Sequence, residues 1–190
     1  FSPEEFTDTE PQFALDICNA VVDAWGPKED EKVILNLPAT VERRLPNEYA
    51  DMIEYFTRHR KFKENTLISV HVHNDMGMAV AATMMSLKAG VDRVEGTLFG
   101  HGERTGNVDL VTIAMNLEYI GVPTGLNLEN LQAISSIVED ITDMAPHPRY
   151  PYVGELVFTA FSGSHQDAIG KGLERRQELI DHFDGWKLPY

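Results

Sequence analysis

Leu67-Ile68-Ser69-Val70-His71-Val72-His73-Asn74-Asp75 is an aliphatic and β-branched run that closes on polar residues, with a helical pattern on either side of it. The run predicts a strand over residues 67–73. Downstream, residues 77–89 read as a small-residue helix closed by Gly90, residues 93–99 as a further strand, and residues 107–120 as a helix ending at Gly121. Upstream, residues 32–37 form a short strand stopped by Pro38, and Pro46 opens a helix with Tyr49, Met52, Ile53 and Phe56 on one face. Before that, Asp8 or Thr9 caps a helix whose apolar positions Phe13, Ile17, Ala20, Val21 and Ala24 recur at threes and fours and which ends near Gly26. Strand, loop and helix recur, and this rhythm implies a parallel sheet with right-handed crossovers. Rhythm alone does not separate an open doubly wound sheet from part of a (β/α)8 barrel.

After Gly121 the rhythm changes. Residues 128–144 are helical and rich in Ile and Val, residues 145–151 are a Pro-rich connector, and another helical segment starts near Phe158. On a barrel reading, Phe1-Ser2-Pro3-Glu4 is the tail of a fifth strand and the three runs above are strands six to eight. Catalytic groups then belong at strand C-terminal ends and in the loops that follow them. The expected division is residues 1–125, the C-terminal half of a TIM barrel, and residues 126–190, a mainly helical segment.

Composition narrows the function classes. With 190 residues, 43% of them hydrophobic, the chain can bury a sizeable core. A formal charge of −14 leaves no basic face for a phosphate backbone or an anionic membrane, so neither nucleic acid nor membrane is an expected partner. The most continuous apolar run, residues 76–87, is shorter than the roughly 20 residues a spanning helix requires. The single cysteine, Cys18, reads as a buried core thiol in a reducing, cytoplasmic setting. The chain begins without an initiator Met, which reads as a segment of a longer protein.

Residues two apart on a strand point to the same face, so His71 and His73 project together from a strand's C-terminal end, as two ligands of one metal must. The bland reading of the pair is two hydrogen-bonded structural histidines. The loop Gly100-His101-Gly102-Glu103-Arg104-Thr105-Gly106-Asn107 is expected to re-enter a helix at Gly106-Asn107, presenting bare backbone N–H groups to an anionic or carbonyl ligand. The alternatives there are a tight glycine turn and Asn107 as an ordinary helix N-cap.

In order along the chain, Asn36-Leu37-Pro38-Ala39-Thr40-Val41-Glu42, His71-Val72-His73-Asn74-Asp75, Gly100 to Asn107, and Thr159-Ala160-Phe161-Ser162-Gly163-Ser164-His165-Gln166-Asp167-Ala168-Ile169 resemble 2-isopropylmalate synthases of the long form. The resemblance implies that His71, His73 and Asn107 hold a divalent ion, Mg²⁺, Mn²⁺ or Zn²⁺, with a further aspartate from a first strand this chain does not include. It implies that Thr40 binds the carboxylate of a 2-oxo acid, and that Glu4 and His165 carry the acid–base work. His165 would reach the active site of a partner subunit, making a composite site in a homodimer. Backbone N–H groups around Gly100 to Gly106, with Gly102 and Glu103 as the substrate-binding residues, would position acetyl-CoA or stabilise developing negative charge.

The chemistry implied is a Claisen-type condensation of acetyl-CoA with 3-methyl-2-oxobutanoate, followed by thioester hydrolysis to 2-isopropylmalate and CoA. Homocitrate and citramalate synthases, with a different 2-oxo acid, are the near alternatives. A related carbon–carbon lyase is disfavoured by the Ser-Gly-Ser-His-Gln-Asp segment. A non-catalytic binding or assembly fragment is the alternative from another class, because half a barrel exposes strand edges.

Overall fold

The computed structural model describes residues 1–182. The part of the expected helical segment beyond them lies outside the described residues. The chain divides into two compact units, Phe1–Ile113 and the residues from Ala114 onward.

The first unit is built on a three-stranded parallel sheet, β1 (Val33–Ala39), β2 (Thr66–Val72) and β3 (Arg93–Glu95), ordered as in the sequence. Crossover helices α1 (Pro11–Trp25), α2 (Pro46–His59) and α3 (Ala79–Lys88) alternate with the strands. The N-terminus extends the sheet: Phe1 donates its N–H to Ile34 at 2.8 Å, and Asn36 donates to the Phe1 carbonyl at 2.9 Å. Those two bonds straddle Leu35, which is the hydrogen-bond pattern of a parallel ladder.

Register separates the faces. Leu35 pairs with Ile68, Leu37 with Val70 and Ala39 with Val72, all buried, so one face is apolar and joins Tyr49, Ile53 and Phe56 in the core. On the opposite face Asn36 pairs with Ser69 and His71 with Glu95. The Glu95 carboxylate accepts from Ser69 Oγ at 2.8 Å and Asn36 Nδ2 at 3.2 Å, tying three strands together by side chains alone. His71 therefore rises from a polar layer, while Val72 is turned into the core.

Four local expectations are corrected. The first helix starts at Pro11 with Glu10 as its N-cap, because Thr7 and Asp8 already belong to a preceding 3-10 turn, Phe6–Asp8. It buries Ala14, Leu15, Cys18 and Val22, while Phe13 and Ile17 are exposed, so the apolar stripe is the neighbouring one. Pro38 does not stop β1 but lies inside it: Asn36 turns its N–H away from β2 toward Phe1, and Pro38, two residues on, would turn its own the same way, so no bond to β2 is lost. The third strand ends at Glu95, because Thr97 pairs instead with the backbone of Val108 and Leu110 and Phe99 takes a left-handed conformation, φ 58°.

Helix α4 (Leu110–Tyr119) begins later than expected, and its cap is the buried Asp109. Asp109 accepts from the N–H groups of Val111 at 2.9 Å and Thr112 at 3.0 Å. In the second unit, α5 (Leu131–Thr142) is capped by Asn130, α6 (Gly163–Glu174) by Ser162, and α7 spans Arg176–His182. Tyr152 donates to Asn116 Oδ1 at 2.6 Å and Gln132 to the Val153 carbonyl at 3.0 Å, which order the turn-rich connector. Among the described residues this unit has no strand, and no helix is long and apolar enough to cross a membrane.

Candidate active site

The C-terminal ends of β1 and β2 and the loop after β3 meet at one end of the sheet. His71 and His73 lie on one face with ring centroids 5.0 Å apart. His73 Nδ1–H donates to the Ala39 carbonyl at 3.2 Å. That bond fixes the tautomer and leaves Nε2 with its lone pair free, the arrangement common to metal-binding imidazoles. His71 Nε2 lies 3.2 Å from Asn107 Oδ1, and Asn107 Nδ2 donates to the His101 carbonyl at 3.3 Å, so the amide is oriented with its oxygen toward His71. Two imidazoles and one amide oxygen fit part of a divalent-ion shell. Among the described residues no three of His, Cys, Asp and Glu cluster as a ligand set.

Thr40 stands just past β1. Its Oγ1 donates to Glu4 Oε2 at 3.0 Å and accepts from the Glu5 N–H at 2.9 Å. Glu4 is exposed and is held there by the left-handed Glu5, φ 60°. Glu4, Thr40, His71, His73, Gly102, Glu103 and Asn107 thus all belong to the first unit. His165 belongs to the second, exposed in the first turn of α6, where its N–H donates to Ser162 Oγ at 3.3 Å.

The glycine loop departs from expectation. Its Gly106 and Asn107 N–H groups are not bare: they donate to the Glu103 carbonyl at 2.9 Å and the Gly100 carbonyl at 3.0 Å, folding the loop on itself before the helix begins. A Cβ on Gly106, φ 94°, would meet Gly100 O at 2.0 Å, and one on Gly102 would meet Asn107 Nδ2 at 2.3 Å. Glycine at Gly102 is therefore what lets the Asn107 amide reach its place. The Glu103 side chain is exposed, its carboxylate 3.7 Å from Arg104.

Three residues inside the quoted motifs have partners that sequence reasoning missed. Arg104 Nε donates to Asp75 Oδ1 at 2.7 Å, and Nη2 donates to Asp75 Oδ2 at 3.1 Å and to the Thr40 carbonyl at 2.8 Å. The Arg104 guanidinium is the main reason the Asp75 carboxyl is pulled down to about 2. Glu42, also overlooked, is buried and accepts from the N–H groups of Met76 at 2.5 Å and Met78 at 3.1 Å, shaping the turn after β2. The signal available was an acid or a guanidinium in each loop; the pairings join residues 29 to 64 positions apart, which spacing does not reveal.

A family model described as HMGL-like matches residues 1–138, and one described as alpha-isopropylmalate synthase, post-catalytic domain-like, matches residues 155–190. Proteins named 2-isopropylmalate synthase from Acetoanaerobium sticklandii and Schizosaccharomyces pombe are each 54% identical over 190 residues, all of this chain. One from Pseudomonas syringae pv. syringae is 53% identical over the same length. The chain spans about a third of these relatives, 33%, 32% and 34% of their lengths. Among solved structures, a hydroxymethylglutaryl-CoA lyase from Pseudomonas aeruginosa matches with TM-score 0.59 at 18% identity over 72% of this chain and 45% of that one. An HMG-CoA lyase from Brucella melitensis matches with TM-score 0.56 at 21% identity over 72% of this chain and 47% of that one. At such identities these likenesses show the fold, a parallel α/β sheet of the TIM-barrel kind. With its sheet, helices α1 to α4 and the greater part of its length matched by one family model, the chain belongs to the HMGL-like family.

Proposed function

We propose that this chain is the C-terminal half of the catalytic barrel, residues 1–125, and the helical segment after it, residues 126–190, of a cytoplasmic 2-isopropylmalate synthase. The observation that carries the reading is identity of 51–54% along the whole chain to proteins of that name. The gathering of His71, His73, Asn107, Thr40 and Glu4 at one end of the sheet supports it independently.

In this reading His71, His73 and Asn107 hold a divalent cation, Mg²⁺, Mn²⁺ or Zn²⁺. When bound, such an ion supplies Lewis-acid polarisation of the 2-oxo acid's ketone. The Thr40 hydroxyl turns from Glu4 to the carboxylate of 3-methyl-2-oxobutanoate and orients it. His165, delivered by a second subunit of a homodimer, removes a proton from the methyl group of acetyl-CoA, and Glu4 receives or returns protons beside it. The methyl carbon, as its enolate, bonds to the ketone carbon, whose oxygen becomes the tertiary hydroxyl. Water then cleaves the thioester, releasing CoA and 2-isopropylmalate. In this reading backbone at Gly102 and Glu103 steadies the acyl donor.

The test is CoA release from acetyl-CoA by the full-length protein, followed with a thiol reagent, with 3-methyl-2-oxobutanoate, pyruvate and 2-oxoglutarate compared. Release with the first substrate that is abolished by His71→Ala upholds the reading. Preference for pyruvate or 2-oxoglutarate keeps the fold and overturns 3-methyl-2-oxobutanoate as the substrate, and silence with all three overturns the synthase reading.

A further inference from the structure

We propose that Arg104 is a positioning residue for the 2-oxo acid: its guanidinium fastens the 100–106 loop to the ends of β1 and β2, and so sets Thr40 and Asn107 relative to each other. The inference rests on the synthase reading above for its substrate, and on geometry for the fastening.

Arg104 spans all three strand ends. From the loop after β3 it reaches the carboxylate of Asp75, in the turn after β2, with Nε and Nη2, and the carbonyl of Thr40, after β1, with Nη2. Asp75 in turn accepts from the Glu42 N–H at 3.0 Å, which ties the same carboxylate back to the chain just past Thr40. The guanidinium thereby holds the peptide on the C-terminal side of Thr40, while Glu4 and the Glu5 N–H hold its hydroxyl. Thr40 is gripped at both ends.

Asn107 is three residues beyond Arg104 in the same loop, and the intervening backbone is tightly closed, with Asn107 N–H on Gly100 and Gly106 N–H on Glu103. The Gly106 carbonyl accepts from Asn74 at 3.0 Å, a second tie between this loop and the turn that carries Asp75. Arg104 itself adopts φ 54°, left-handed and unfavourable for a side chain of its kind, so the loop spends conformational energy to aim it. A planar fork is needed to meet both carboxylate oxygens and a carbonyl together; an ammonium group carries the charge but not that geometry.

The full-length protein tests this with Arg104→Lys, Arg104→Ala, Asp75→Asn and the double variant of Arg104→Ala with Asp75→Asn. The readouts are kcat, KM for each substrate, and amide hydrogen exchange at Gly106 and Asn107. We expect kcat/KM for the 2-oxo acid to fall about 10- to 100-fold in each single variant, Lys included, because displacement by about an ångström costs that much. The double variant is expected to be no worse than the worst single, as for partners in one network, and exchange at the two amides to accelerate about 10-fold or more. Rescue by Arg104→Lys of both kinetics and exchange overturns the proposal, since charge alone would then suffice. Loss of active fraction with both KM values unchanged also overturns it, as a merely structural role. A parent protein silent with every 2-oxo acid sinks the synthase reading and with it the substrate; the exchange rates then decide the fastening alone, acceleration upholding it and unchanged rates overturning it.

Discussion

His73 donates its Nδ1–H to the Ala39 carbonyl at 3.2 Å, binding the ring that follows β2 to the last residue of β1. The bond presents the ring's Nε2 on the face shared with His71 and the Asn107 amide oxygen. Replacing His73 with Gln removes the imidazole lone pair and keeps much of the volume. In the full-length protein, His71→Ala and His73→Gln are each expected to weaken divalent-ion affinity by about 100-fold or more, since even outer-shell partners of metal ligands are worth 10- to 100-fold. Titration calorimetry with Mn²⁺ reads this directly. Unchanged affinity in both variants would remove the two histidines from any metal site.

The Thr40 hydroxyl sits between the Glu4 carboxylate and the Glu5 N–H. Thr40→Ser keeps the hydroxyl and Thr40→Val keeps the shape. Both acidic neighbours are exposed, so water replaces the lost bonds in Thr40→Val and thermal stability should change by less than about 1 kcal/mol. Activity should separate the two: near-parental kinetics in Thr40→Ser, and a KM for the 2-oxo acid raised about 10-fold or more in Thr40→Val, as for a lost hydrogen bond to a charged group. Equal kinetics in both would take the carboxylate-binding role from Thr40.

The His-x-His pair was legible because a strand's period of two puts both rings on one face whatever the surroundings. The alternation of strands and helices was legible for the same kind of reason. What spacing did not carry was long-range pairing. Arg104 meets Asp75 and Thr40 across three different loops, and Glu4 meets Thr40 across 36 positions, contacts that exist only once the strands lie side by side. Helix α1 was misread by one residue because Phe13 and Ile17 look more apolar than Ala14 and Cys18, although the smaller residues are the ones packed in the core. Pro38 was read as a breaker because its missing N–H costs nothing only on the side facing away from β2, and that orientation depends on a register no single strand reveals.

Cys18 has no solvent exposure, and burial pushes its thiol from 9.0 up to about 12. The folded state therefore favours the neutral thiol. The stability this contributes is complete below the unfolded thiol's 9.0 and is lost progressively as pH rises toward about 12, where the folded thiol too would ionise. Alkylation by iodoacetamide at pH 8 should be at least about 100-fold slower in the native protein than in urea, because the thiolate is the reactive form and is disfavoured on burial. Similar rates in both conditions would place Cys18 at the surface and refute the packing of α1.

Asp109 offers a stability test that is independent of catalysis. Its carboxylate is buried, with Oδ1 accepting from Phe99 N–H at 2.8 Å and Val111 N–H at 2.9 Å, and Oδ2 from Thr112 N–H at 3.0 Å and Thr112 Oγ1 at 2.5 Å. It therefore caps α4 and anchors the left-handed Phe99 turn in one stroke. Asp109→Ala leaves these donors buried without acceptors, and the expected loss is about 3 kcal/mol or more, above the usual 0.5–2 kcal/mol for a cap because the orphaned groups are shielded from water. Asp109→Asn, with one amide oxygen, recovers part of the loss by serving one side of the cap. Urea unfolding of the full-length variants, read by the midpoint at constant slope, orders them as parent, Asn, Ala. A loss under about 1 kcal/mol in Asp109→Ala would mean that the 100–109 segment does not close on this carboxylate.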